Sequence, residues 1–265
     1  MGNVKKSIKR TTRNLSKNSF LFTELVKRDF KQKYKRTILG MGWSLLLPLL
    51  QLFIMKIIFT GFFGRNTPHY TTYLFAGNLV MNYYREATRN GMGSILSNAN
   101  VITKINVPKY LFLFSKNVSA LVNFALTLVV FFFFCILDHI TFHLNFIVLI
   151  YPIICLLVLN LGIGMILSAL YVFFRDITYL YDVFLTLLNY VSAIFYTIDK
   201  FSPQTQRIFL LNPVYCIIKY IRVVVIEGNI PTLQFHLLCG GYAVVFFVIG
   251  CIFYKSLNQK FVYYI

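Results

Sequence analysis

Acidic side chains are scarce: eight Asp and Glu stand against 26 Lys and Arg in 265 residues. No two of the eight sit together in a loop, as an acid/base pair or a metal-binding carboxylate cluster requires, so catalysis finds no support. Charged residues make up only 13% of the chain against 58% hydrophobic ones, far from the balance of a soluble domain. The five cysteines (Cys135, Cys155, Cys216, Cys239, Cys251) are scattered through apolar runs without paired spacing. Neither a disulfide framework nor a metal knuckle is indicated, and they read as small core residues. His139 and His143 have helical spacing, but Asp138 is the one carboxylate nearby and a zinc site needs a third ligand, so no metal is expected. A G-x-x-x-x-G-K-[ST] loop is lacking, so the chain carries no ATPase site of its own and no cofactor is expected in it. A cleaved signal peptide is not expected either, because some forty basic and polar residues precede the first apolar run.

What is present begins at Leu21. Phe22, Leu25, Val26, Phe30 and Tyr34 fall on one helical face while Lys27, Arg28, Lys31 and Lys35 take the other, the pattern of a helix lying on a membrane surface. Trp43, the single tryptophan, follows at a position suited to the headgroup level. From Met41 to Phe63 the only charge is Lys56, and 23 helical residues at about 1.5 Å each cover roughly 35 Å, enough to span the apolar layer. The net charge of +18 raises nucleic acid as a partner, but the placement of the cations excludes it. Twelve Lys or Arg precede Met41, five lie between Arg85 and Lys116, and only Arg65 falls in the loop after the first span. That bias holds basic loops in the cytoplasm. Anionic membrane lipid is the partner it implies, at about 1 kcal/mol for each cation near the surface.

The chain therefore reads as an all-α integral membrane protein with six transmembrane helices, near Met41 to Phe63, Tyr70 to Tyr84, Leu111 to Leu137, Phe146 to Phe173, Tyr179 to Tyr196 and Phe235 to Phe253. An even number puts both termini in the cytoplasm. Residues 1–19 form a basic cytoplasmic tail, 20–40 the amphipathic interface helix and 41–265 the transmembrane domain. Asn78 and Asn82 inside the second span should face protein or water rather than lipid. Gly164 and Ser168 in the fourth form a small-xxx-small pair that lets another helix approach. Gly91 to Pro108 reads as a short cytoplasmic helix and turn. Asp199 to Pro231, too charged to cross and too apolar for a free loop, reads as a re-entrant or interfacial helix pair on the outer side.

The sharpest internal pattern lies in the fifth span, where Asp182, Thr186, Asn189, Ala193 and Tyr196 recur at intervals that place all five on one helix face. Such a stripe faces either a water-filled lumen or a partner helix, since hydrocarbon would cost several kcal/mol per polar group. Lys56 poses the same choice between an aqueous lumen and a carboxylate partner. Aromatics reach 18%, and Tyr offers the flat face and hydroxyl edge that suit a passing sugar ring, although most of these rings are ordinary lipid-facing or interfacial material.

Arg28-Asp29-Phe30, Tyr34 to Gly40, Trp43-Ser44 and Pro48-Leu49 together resemble the opening of ABC-2 type permeases that export cell-surface polysaccharides, the O-antigen and teichoic acid group. The Asn98 to Pro108 segment with Lys104, Phe174-Arg175-Asp176 and Asn212-Pro213 extend the likeness over nearly the whole chain from Phe20. The resemblance implies a permease rather than an enzyme, a homodimer in the bacterial cytoplasmic (inner) membrane working with a separate ATP-binding cassette subunit that holds ATP and Mg. It implies a coupling helix at about 94–103, with Ser94, Ser97, Asn98, Asn100 and Val101, and outer gate helices at about 202–226. Spans one and five line the channel in such exporters, which would place Lys56, Asp182, Thr186, Asn189 and Tyr196 on its wall. The cargo it implies is a polysaccharide on a polyprenyl diphosphate lipid, whose diphosphate would meet Arg28, Lys33 and Arg36. An ABC-2 exporter of a small lipophilic compound has the same architecture and is the alternative.

Overall fold

The computed structural model describes residues 19–33, 35, 37–63, 68–104, 107–199, 201–258 and 260–264, the side chains of 41, 56, 59–63, 262 and 263 excepted. Arg36, the side chain of Lys56 and residues 1–18 of the basic tail therefore lie outside the described residues. Every regular element among those described is helical. Helix α1 covers 19–33, followed by α2 (Trp43–Phe63), α3 (Tyr70–Met92), the short α4 (Ala99–Ile102), α5 (Tyr110–Leu137), α6 (Ile150–Phe173), α7 (Ile177–Val191), α8 (Pro203–Phe209), α9 (Pro213–Val225), α10 (Leu233–Leu257) and α11 (Phe261–Tyr264). Among the described residues three stretches are long and apolar enough to cross a membrane: α5, Leu144–Phe173 and α10. A fourth is added if α8 and α9, which meet at 105°, count as one bent span.

The bundle is organised around α3. Its buried residues run almost its full length, from Tyr70 through Leu74, Leu79 and Tyr83 to Met92. Helices α5 and α6 pack on it directly, α9 closes over its first half, and α10 lies against the far side of α6. Such helices sit close because small residues let their backbones approach, and van der Waals contact supplies the attraction that water cannot supply in a membrane. Gly162 of α6 meets the backbone of Phe246 on α10, while Gly250 of α10 meets the carbonyl of Gly162 in return. Gly164, singled out by the sequence, serves a different seam: it faces Gly91 of α3.

Helix α1 buries Leu25 and Asp29 against the bundle. Leu25 joins a cluster with Ile95, Ile102, Phe112 and Leu113, so α1 is tied to the 94–104 segment and to the start of α5. Gly40, at φ +51, then turns the chain through a single 3-10 turn (Gly40–Gly42) into α2. This end of the bundle, where α1, the 94–104 segment and the last turn of α10 lie, is the basic end below; the start of α3 and the α8–α9 pair mark the far end.

Two elements differ from the sequence reading. The fifth apolar helix stops at Val191 rather than running to Tyr196, because Ala193 takes a left-handed conformation (φ 48) that no α-helix continues through. The coupling segment is a 3-10 turn (Leu96–Asn98) running into the single turn of α4, not one continuous helix. Asn98 is the cause: its amide donates to the Ser94 carbonyl at 2.8 Å and to the Ser97 hydroxyl, closing a tight local loop.

Candidate functional site

Helix α7 presents two adjacent stripes. Tyr181, Leu185 and Leu188, spaced four and three apart, are its buried residues and hold it to the bundle. Asp182, Thr186 and Asn189 flank that stripe: Asp182 and Asn189 are half-buried and Thr186 is exposed. The Thr186 hydroxyl donates to the Asp182 carbonyl at 3.0 Å, a bond that satisfies it locally and leaves the helix face open. Beyond them, Leu180, Val183, Phe184 and Leu187 are exposed. The polar flank of α7 is therefore not sealed against a neighbouring helix of the same chain at Thr186.

Asp182 has a specific partner that sequence reasoning missed. Arg89, in the last turn of α3, donates to its Oδ2 at 2.9 Å. The signal was the one-turn spacing of Arg85 and Arg89 at the end of the second span, which places both near the depth of Asp182.

Ala193 and Tyr196, assigned by period to the same face, lie past the end of α7. The Tyr196 ring rests against Phe201 and Phe209, and its hydroxyl reaches back to the Tyr190 carbonyl at 2.9 Å. Ending a helix here frees backbone carbonyls within an apolar bundle, and each needs a donor. Tyr70 supplies one to Phe195 at 2.7 Å and Tyr73 another to Tyr196 at 2.8 Å. Arg222 of α9, buried to 6% exposure, supplies more: it donates to Ala193 and Ile194 at 2.9 and 3.1 Å, and also to the Tyr73 carbonyl of α3 at 3.1 Å. Its guanidinium also stacks 3.4 Å from the Tyr73 ring. Asn212 holds the start of α9, accepting from the Val214 and Tyr215 amides and donating to Ser192 at 3.0 Å. Asn212, Arg222 and the two tyrosines thus lock the α8–α9 pair to the end of α7 and the start of α3.

At the basic end, Arg28 and Lys33 are already engaged. Asp29, with 2% of its side chain exposed, accepts from Arg28 at 2.8 Å and Lys116 at 3.0 Å, and the Ser115 hydroxyl lies 3.3 Å away. Arg28 donates onward to the Asn98 side chain at 2.8 Å, which binds α1 to the 94–104 segment. Lys33 pairs with Glu86 of α3 at 2.8 Å, and Asn123 of α5 donates to the same carboxylate at 2.6 Å. Of the other residues that the resemblance assigned to coupling, Ser94 is fully buried with its hydroxyl unpartnered, Ser97 and Asn100 are exposed and Val101 is half-buried. Lys109, at the start of α5, reaches the Asn258 carbonyl at 2.6 Å, and burial pushes its ammonium below the ordinary lysine value.

Among the described residues no group of three or more His, Cys, Asp or Glu is placed to hold a metal. His143 meets Thr141 at 2.8 Å, and His139 sits in a left-handed turn, so the two do not present a shared face.

Comparison with known proteins follows this architecture. The family model for the ABC-2 type transporter matches residues 21–226, from α1 through α9. The chain is similar to an O-antigen export system permease protein RfbA of Myxococcus xanthus, 24% identical over 261 residues that cover 95% of this chain and 98% of the relative. Two proteins of the same name from Klebsiella pneumoniae are 26% identical over 245 residues (91% of this chain, 93% of the relative) and 27% identical over 210 (78% and 81%). With the matched region taking in α1, the α7 flank and the α8–α9 lock, the chain belongs to the ABC-2 type transporter family.

Proposed function

We propose that this chain is the permease subunit of an ATP-binding cassette exporter that moves a lipid-linked, O-antigen-type polysaccharide across the cytoplasmic membrane of a bacterium. The observation that carries the reading is the end-to-end alignment with O-antigen export permeases, 95% of this chain against 98% of one relative. Six crossings are assigned to α2, α3, α5, α6, α7 and α10. Helix α7 has 15 residues and so rises only about 22 Å, short of a layer of about 30 Å, with the turn at 192–199 completing the crossing. The α8–α9 pair, bent by 105°, is read as a re-entrant outer gate. The cation bias puts both termini and the 94–103 coupling segment in the cytoplasm, where a separate cassette ATPase would press on Ser94, Ser97, Asn98, Asn100 and Val101.

Two copies would enclose the passage, meeting along the apolar outer faces of α2 and α7, where Phe53, Ile57, Val183 and Leu187 are exposed in the single chain. Lys56, Asp182, Thr186, Asn189 and Tyr196 would lie along that passage, and Arg28, Lys33 and Arg36 at its cytoplasmic rim would meet the polyprenyl diphosphate. An open polar flank on α7 supports this, because weak, repeated hydrogen bonds suit a polymer that has to keep moving.

The test is depletion of the chain in its host. Surface glycan is expected to fall while lipid-linked glycan builds up on the cytoplasmic side of the membrane. Unchanged surface polymer overturns the reading.

A further inference from the structure

A cavity of about 610 Å³ opens between α1, α2, α3 and α5 toward the basic end, within the size range of small-ligand sites. Its wall changes character with depth along α3. Arg85, Glu86 and Arg89 line it near the basic end together with Lys33 of α1, whereas Leu79 lies deeper, facing Leu47 of α2 and Phe124 of α5. Three cations thus share one carboxylate. Glu86 is committed to Lys33 and Asn123, and Arg89 to Asp182, which is not part of the lining. Arg85 is half-buried and, among the described residues, has neither a carboxylate within ion-pair distance nor a hydrogen-bond acceptor. None of its nitrogens is among the buried polar atoms left without a partner, so the fork is open to the cavity, and a phosphate is the anion its planar geometry fits. Trp43 also lines the cavity, and an indole favours headgroup depth. A cationic rim over an apolar wall at that depth matches an amphiphile with an anionic head.

We infer that this cavity binds the phosphate or diphosphate headgroup of a membrane lipid, with Arg85 as its main ligand and the Leu47, Leu79 and Phe124 wall receiving the first part of the lipid chain. The inference rests on the export reading only where the lipid is taken to be the carrier of the cargo; the binding chemistry is the same for a resident anionic phospholipid. Arg89 gives the site a mechanical link. It reaches both the cavity and Asp182, so an anion that draws Arg89 inward releases α7 from α3.

Trp43 is the single tryptophan, so its emission reports occupancy directly. The full chain in phosphatidylcholine nanodiscs is titrated with farnesyl diphosphate, inorganic diphosphate or phosphatidylglycerol. A saturable change with farnesyl diphosphate is expected, weakened roughly tenfold or more in Arg85→Gln and partly retained in Arg85→Lys, as loss of charge-assisted hydrogen bonds to phosphate requires. Asn82→Phe fills the cavity without changing any charge and is expected to abolish the response, which decides the matter should Arg85→Gln fail to assemble. Weaker binding of inorganic diphosphate supports a site that also holds the lipid chain, and stronger competition by phosphatidylglycerol than by farnesyl diphosphate assigns it to a resident phospholipid. No saturable change with any probe, equal binding of inorganic and farnesyl diphosphate, or wild-type binding by Arg85→Gln or Asn82→Phe overturns the inference. Binding that persists while depletion of the chain leaves surface glycan intact overturns the export reading alone.

Discussion

Arg89 and Asp182 join the end of α3 to the beginning of α7 through a 2.9 Å contact, with 50% and 39% of their side chains exposed. A pair this open to solvent contributes little to stability, about 0 to 1 kcal/mol. It nevertheless ties the polar flank of α7 to the last turn of α3. Asp182→Asn is expected to shift the melting temperature of the purified protein hardly at all and to reduce polymer export several-fold. Full export by the variant would show that the contact has no part in transport.

Arg222 is the opposite case, a cation buried among backbone carbonyls with no carboxylate beside it among the described residues. Arg222→Leu removes its donors from carbonyls on Tyr73, Ala193 and Ile194, of which Ala193 keeps a 3.4 Å contact from the Tyr73 hydroxyl, at about 1 to 3 kcal/mol for each group left unsatisfied. Arg222→Lys keeps the charge, but a point-like ammonium cannot serve α3 and the end of α7 together, so it should lose at least about 1 kcal/mol as well. Thermal unfolding in detergent measures both. A lysine variant as stable as the parent would mean that charge alone, rather than the fork, holds the α8–α9 pair.

Periodicity made α5, α6 and α10 legible, because long apolar runs have no other stable form in a membrane. It also found Asp182, Thr186 and Asn189 on one face. It failed at Ala193 and Tyr196, since a repeat of three and four continues on paper after the helix has stopped, and the left-handed turn at Ala193 carries no glycine or proline to announce it. The donors that make the break tolerable come from Tyr70, Tyr73 and Arg222, far away in the chain. Arg85 and Arg89 were visible as topology-setting cations, but which of them finds a carboxylate depends on how α3 rotates against α7, and no local pattern encodes that.

Asp29 anchors α1 through Arg28, Lys116 and Ser115, with its side chain almost wholly buried. Asp29→Ala leaves two cations facing each other over an apolar seam. Because Arg28 and Lys116 are 41% and 20% exposed, they can turn partly toward water, which holds the expected loss to about 1 to 3 kcal/mol. The loss should be local. Hydrogen exchange is expected to speed up in residues 19–33 and at Asn98 while α5, α6 and α10 keep their protection; uniform loss across the bundle would make Asp29 a global rather than a local tether.

The α6–α10 seam offers a test with its own control. A Cβ placed on Gly162 would sit 2.5 Å from the carbonyl carbon and oxygen of Phe246, atoms of a helix backbone that no rotamer change can move. Gly162→Ala therefore forces the two helices apart, and overpacking of this kind costs about 1 to 3 kcal/mol. Gly241, on the same α10 helix, has open space where its Cβ would be. There the same substitution removes only backbone freedom from the unfolded chain and should stabilise by about 0.5 to 1 kcal/mol. Melting temperatures of the two alanine variants should thus move in opposite directions from the parent. If Gly162→Ala melts as high as Gly241→Ala, α6 and α10 do not touch at the backbone level, and the close approach at Gly162 and Gly250 cannot be what holds α10 to the bundle.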